Sequence, residues 1–148
     1  MTLYYKNLSA TQQKYVKKYI ANGCGAKGGV FNPPDYVFNR SACIIHDFDF
    51  WRGGNKKDFT QANKFFYKNM LANCKAAYKD GNINYFSYLW VKGAAYRYWK
   101  AVQWFGKDSF HFTDTPRNKA DLFFLIQSGK PQKKDRFKAG QVDPRIRG

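Results

Sequence analysis

The placement of glycine and proline constrains this chain more than any other feature. Between Asn22 and Asn39 stand Gly23, Gly25, Gly28, Gly29 and the pair Pro33-Pro34. Glycine frees the backbone and proline removes a donor while fixing φ, so this stretch predicts a long irregular loop. Loops of that length usually carry function. On either side the breakers thin out and helical periodicity takes over. Ser9 can cap a helix running to about Ala21, with Tyr15, Val16, Tyr19 and Ile20 at helical spacing. A second helix is predicted from about Asn39 to Arg52, stopped by Gly53-Gly54. A third runs from Asp58 to about Tyr78, stopped by Gly81, and a fourth from Asn82 to Phe105. The stripe Val91, Ala94, Tyr98, Val102, Phe105 gives the fourth helix its core face. Lys92, Arg97 and Lys100 cluster on another arc, and Gly93 marks a place where a second helix can come close. A short helix over Lys119–Gln127 completes an all-α reading. Residues 129–148 hold seven Lys or Arg against two Asp, with glycine and proline throughout, and read as a basic extended tail on a 1–128 helical domain.

The chain has 148 residues, 44% of them apolar and 20% aromatic, which suffices for one core. No uncharged apolar run approaches the roughly 20 residues needed to span a bilayer. Met1–Lys18 has no apolar core segment, so no cleavable signal is expected. The acidic residues are all Asp; without Glu, paired glutamates and HExxH metalloprotease chemistry are excluded. The net charge is +16, a field that attracts polyanions: nucleic-acid backbones or anionic lipid surfaces. No helix-turn-helix, RNP or zinc-finger pattern accompanies that charge.

The most specific local segment is Cys43-Ile44-Ile45-His46-Asp47, with Phe50, Trp51 and Gly53-Gly54 after it. The helices flanking Arg52–Lys57 are expected to form an antiparallel hairpin. His46 lies eight residues before Gly54 and Asn63 eight after Asn55, so at 1.5 Å per residue each is roughly 12 Å from the turn and the two can face each other. Asn63, Phe66, Tyr67 and Met70 share one helix face. An imidazole held at one nitrogen and free at the other is what a general base requires. Asp49 and Asp58 are the other carboxylates near enough to serve the ring. The same region permits a rival reading, a Cys₃His zinc set of Cys24, Cys43, Cys74 and His46. His111 lies outside any motif and reads as structural. Trp51 and Trp104, near helix ends, are candidate lipid anchors.

Taken together, these residues resemble the secreted and viral phospholipase A2 superfamily over roughly Asn22 to Met70. The family's Cys-x-x-His-Asp-x-x-Tyr helix is similar to Cys43-x-x-His46-Asp47-x-x-Phe50, and its glycine-rich calcium loop to Cys24-Gly25-Ala26-Lys27-Gly28-Gly29. Its Asp followed three residues on by Phe resembles Asn63-Lys64-Phe65-Phe66. The resemblance implies the antiparallel helix pair of that fold and a Ca²⁺-dependent esterase acting on the sn-2 ester of phospholipids. It gives His46 the role of general base, oriented by Asn63. Ca²⁺ is to be held by Asp47 with backbone carbonyls around Gly23, Gly25 and Lys27, the Gly25 N–H stabilises the oxyanion, and Cys24 pairs with Cys43 in a disulfide. It also implies an anionic phospholipid surface as partner and a virus or phage protein in the virion or released, with nucleic acid or virion proteins as partners of the basic tail. Asn63 and Phe50 stand where the family has Asp and Tyr, so the alternative is a weakened or inactive virion component that binds through its basic surface.

Overall fold

The computed structural model describes residues 3–21, 35–38 and 41–129, and the side chains of Asp35 and Tyr36 are not among them. The architecture is all-α. A 3₁₀ turn, Tyr5–Asn7, precedes α1, Ala10–Tyr15, which continues as a π-helical segment over Val16–Ile20. Then come α2, Asp35–Phe38; α3, Ala42–Arg52; α4, Lys56–Lys79; and α5, Tyr85–Phe105. A second 3₁₀ turn, Lys107–Ser109, leads to α6, Lys119–Ser128. Among the described residues the one extended contact is an isolated parallel bridge between Gly54 and Phe112.

Helix starts follow from local side-chain chemistry. Ser9 and Gln12, Asn55 and Asp58, and Asn118 and Asp121 each form a reciprocal capping box, satisfying orphan backbone donors at the N-termini of α1, α4 and α6. Asn84 caps α5 through Ser87 N–H. Asp58 is thus the third residue of α4 rather than its first, which moves the start of α4 back to Lys56. Likewise α3 begins at Ala42 and α5 at Tyr85, each inside the expected span.

Helix α3 is the centre of the molecule, with nine of its eleven residues buried. One side packs on α4, where Cys43 joins Phe66, Met70, Cys74 and Val91 in the largest apolar cluster. The other side places Phe48 and Trp51 against Val16, Ile20 and Leu122. A helix covered on both sides needs apolar residues all round, which is why α3 lacks a clean polar stripe. Its buried polar exceptions are His46, Asp49 and Arg52; Arg52 bonds Asp49 at 3.2 Å and the Leu3 carbonyl at 2.9 Å, tying the N-terminal segment to the helix end. The turn at Gly53 requires φ of +75°, and a Cβ there would lie 2.0 Å from the His111 carbonyl oxygen.

Two expectations for α5 are corrected. Phe105 belongs to the predicted stripe but is 72% exposed, whereas Val91 and Ala94 are buried. Among the described residues no second helix closes on Gly93: a Cβ there would meet only the Arg97 guanidinium of the same helix, at 3.4 Å. Trp51 is 3% exposed, so it is a core residue and not a lipid anchor, while Trp104 is 76% exposed. Of the 129–148 tail, only Gly129 is described, as the left-handed cap of α6.

Candidate functional site

The α3–α4 hairpin sets its own register. At the turn end, Phe50 meets Phe59 with ring centroids 5.8 Å apart. At the far end, Asn73 Oδ1 accepts from the Ala42 N–H at 3.0 Å while its Nδ2 donates to Ser41 Oγ at 3.0 Å. Between these two anchors His46 faces α4, and its Nε2 lies 2.8 Å from Asn63 Oδ1. Contacts move back along α3 as they move forward along α4, as antiparallel helices require. The hairpin therefore brings His46 and Asn63 together as the eight-residue spacing predicts.

The imidazole lies between two phenyl rings. Phe66, one turn after Asn63, stacks at 4.1 Å and 20°, and Phe50 lies at 4.1 Å and 46°. Sequence reasoning put Phe66 on the Asn63 face but gave it no role; its position three residues on was the available signal. Phe50, where the resemblance has a phenol, supplies only an apolar wall. Burial lowers the His46 pKa to about 4, with the Asn63 hydrogen bond opposing the shift. The ring is therefore neutral at physiological pH. With Asn63 Oδ1 as acceptor, Nε2 carries the proton and the lone pair sits on Nδ1. Asn63 is fully buried, and its Nδ2 has no partner among the described residues. A buried unpaired donor of this kind costs about 1–3 kcal/mol.

The other candidate residues separate clearly. Asp47 follows His46 on α3 and is half-buried. Asp49 is taken by Arg52, and burial raises its pKa to about 6 against the pull of that guanidinium. Asp58 is taken by the α4 cap. Neither of these two holds the imidazole. Cys43 is disulfide-bonded, and Cys74 is free and buried, its thiol pushed up to about 11 by burial. A disulfide sulfur cannot serve as a thiolate ligand, so the Cys₃His zinc reading fails at Cys43. Among the described residues no three His, Cys, Asp or Glu side chains gather as a metal site. Gly23, Cys24, Gly25 and Lys27 lie outside the described residues.

His111 is buried and has a structural part to play. Its N–H donates to the Phe50 carbonyl at 3.2 Å, and its own carbonyl accepts from Gly54 N–H at 3.0 Å. Thr113 and Arg117 N–H groups add bonds to the Gly54 and Arg52 carbonyls, so residues 111–117 close the C-terminal end of α3. No helix of the described residues is long and apolar enough to cross a membrane.

Fold and site together define an all-α protein with a histidine–amide pair held across a helix hairpin. Comparison with family models, with curated proteins and with solved structures finds no match to this chain.

Proposed function

We propose that the protein is a phospholipase A2-like lipid esterase whose general base is His46. The observation that carries this reading is the 2.8 Å contact between His46 Nε2 and Asn63 Oδ1, within a Cys-x-x-His-Asp helix. Asn63 holds the ring and fixes its tautomer, and the phenyl walls of Phe50 and Phe66 keep it from rotating. Nδ1, with its lone pair, takes the proton from a water that attacks the ester carbonyl. The Gly25 N–H is the proposed oxyanion donor.

The donor set suits Ca²⁺: the Asp47 carboxylate with backbone carbonyls of Gly23, Gly25 and Lys27 is all oxygen, the ligand type a hard cation takes. When bound, the ion supplies Lewis-acid polarisation of the ester carbonyl. A bridge between Cys24 and Cys43 agrees with Cys43 being disulfide-bonded while Cys74 is free.

The proposed substrate surface is an anionic membrane. Trp90 and Trp104 are exposed on α5, together with Lys92, Arg97 and Lys100, and aromatic side chains with basic neighbours suit the lipid interface. A phage or virus particle, or release from a cell, is the proposed location, and the basic tail is the proposed contact for nucleic acid or virion proteins.

One observation favours the second reading, a weakened or inactive virion component of the same fold. Asn63 offers no charge to a developing imidazolium, and the ring resists protonation until about pH 4. Fatty-acid release from phosphatidylglycerol vesicles decides between them. Release abolished both by EDTA and by His46→Gln supports the esterase; binding to vesicles without release supports the alternative.

A further inference from the structure

Asn63 also lines a groove, apolar for the most part with polar groups around it, that the esterase reading does not use. The α4 face at i, i+3, i+4 and i+7 carries Lys56, Phe59, Thr60 and Asn63, and it meets Gln103 of α5, Lys107 and Phe112 around a cavity of about 330 Å³. Lys56 and Lys107 bring two ammonium groups from separate walls, and both are exposed at the rim. Gln103 brings an amide. The Thr60 hydroxyl already donates to the Lys56 carbonyl at 3.1 Å, so it offers the groove only an acceptor. Asn63, buried against this cavity, has Oδ1 committed to His46, while its Nδ2 has no partner among the described residues. Phe59 and Phe112, 5.6 Å apart, supply apolar walls.

We infer that this groove binds a phosphate group borne on an organic body, a lipid headgroup or a soluble organic phosphate. Two cations and convergent amide donors suit a ligand with several acceptor oxygens held in a tetrahedron, and a carboxylate would use fewer of them. The apolar walls take the carbon part of the ligand. A phosphate oxygen, directly or through a water it holds, gives the Asn63 donor the acceptor that the described residues do not supply. The overall charge of +16 draws anions to the whole surface, but it places no donor beneath them; the buried amide distinguishes this groove from ordinary basic surface. The site needs neither calcium nor ester cleavage, so it stands or fails separately from the esterase reading.

The test titrates the full chain with inorganic phosphate and with glycerol 3-phosphate in EDTA, following the side-chain amide signals of Asn63 and Gln103 by ¹H–¹⁵N NMR. Both signals are expected to shift with one saturating isotherm, tighter for glycerol 3-phosphate. Lys56→Ala/Lys107→Ala should weaken binding at least tenfold. Lys75→Ala/Lys79→Ala, which removes the same charge from exposed positions toward the C-terminal end of α4, should weaken it less than twofold. Equal weakening by the two double variants, or saturation without movement of the Asn63 and Gln103 signals, overturns the site. Co-sedimentation with phosphatidylglycerol vesicles then separates the sources. Vesicle binding that falls in the groove variant and not in the control identifies a headgroup site. Vesicle binding equal in the two, with glycerol 3-phosphate binding lost only in the groove variant, identifies a soluble phosphate.

Discussion

Asn63→Asp tests the reasoning about the histidine most directly. The substitution is nearly isosteric, and it replaces the amide whose Oδ1 lies 2.8 Å from His46 Nε2. It removes the unpaired Nδ2 donor and puts a negative charge against the ring. Two unit charges about 4 Å apart at an effective dielectric of about 20 attract by about 4 kcal/mol. At 1.36 kcal/mol per pKa unit that amounts to about three units, reduced by the cost of burying the carboxylate. The His46 pKa, about 4 in the parent, should therefore rise by about two units or more. The assay is an NMR titration of the imidazole signals. There are only two histidines, and His46→Gln identifies the signal by its loss. If the protein hydrolyses phospholipid, turnover near neutral pH should rise on the order of tenfold, because a stronger base sits in the same geometry. A His46 pKa that moves by less than about half a unit refutes the argument that the site lacks a counter-charge. It would mean that the carboxylate stays protonated or turns away from the ring.

Other outcomes follow from the same contacts. The unfolded imidazole takes a proton near pH 6.5 and the folded one only near 4, so the native state gains fully from His46 above 6.5 and loses that gain as pH falls toward 4. The stability gap between parent and His46→Gln, read from urea melts at pH 7 and pH 4, should change by about 3 kcal/mol. Asp49 works in the opposite sense, since its raised pKa of about 6 adds stability as pH falls from 6 toward 4; the comparison between variants cancels it. Met70→Ala, at a fully buried site between α3 and α5, should cost about 2–5 kcal/mol in chemical denaturation. Gly53→Ala should lower the melting temperature sharply, because its Cβ would meet the His111 carbonyl at 2.0 Å in a backbone of positive φ. Reduction of the Cys43 disulfide should lower stability by about 2–4 kcal/mol and expose two further thiols to titration.

The four longer helices and the hairpin pairing of His46 with Asn63 were legible in the sequence, because they depend on neighbours within a few residues, whereas the short helix Asp35–Phe38 falls inside the stretch read as an irregular loop and several helix starts lie a few residues from where they were expected. Ser9, Gly53 and Gly81 act through their own backbone or the next turn, and equal spacing from a tight turn fixes which residues of an antiparallel pair can meet. What surrounds the pair was not legible. That Phe105 and Trp104 face solvent while Trp51 is core depends on how the helices pack, with the Val16–Ile20 segment and α6 covering the far side of α3. Asp49 and Asp58 were the other nearby carboxylates that could have held the ring in place of Asn63; Arg52 and the α4 cap took them out of contention. The groove behind Asn63 joins residues 56–63 to residues 103–112, and no local pattern links segments that far apart. Its chemistry, two lysines and a buried amide donor that no described residue engages, exists only once α4, α5 and the segment after α5 have packed, because desolvation is a property of the assembled core and not of any stretch of chain.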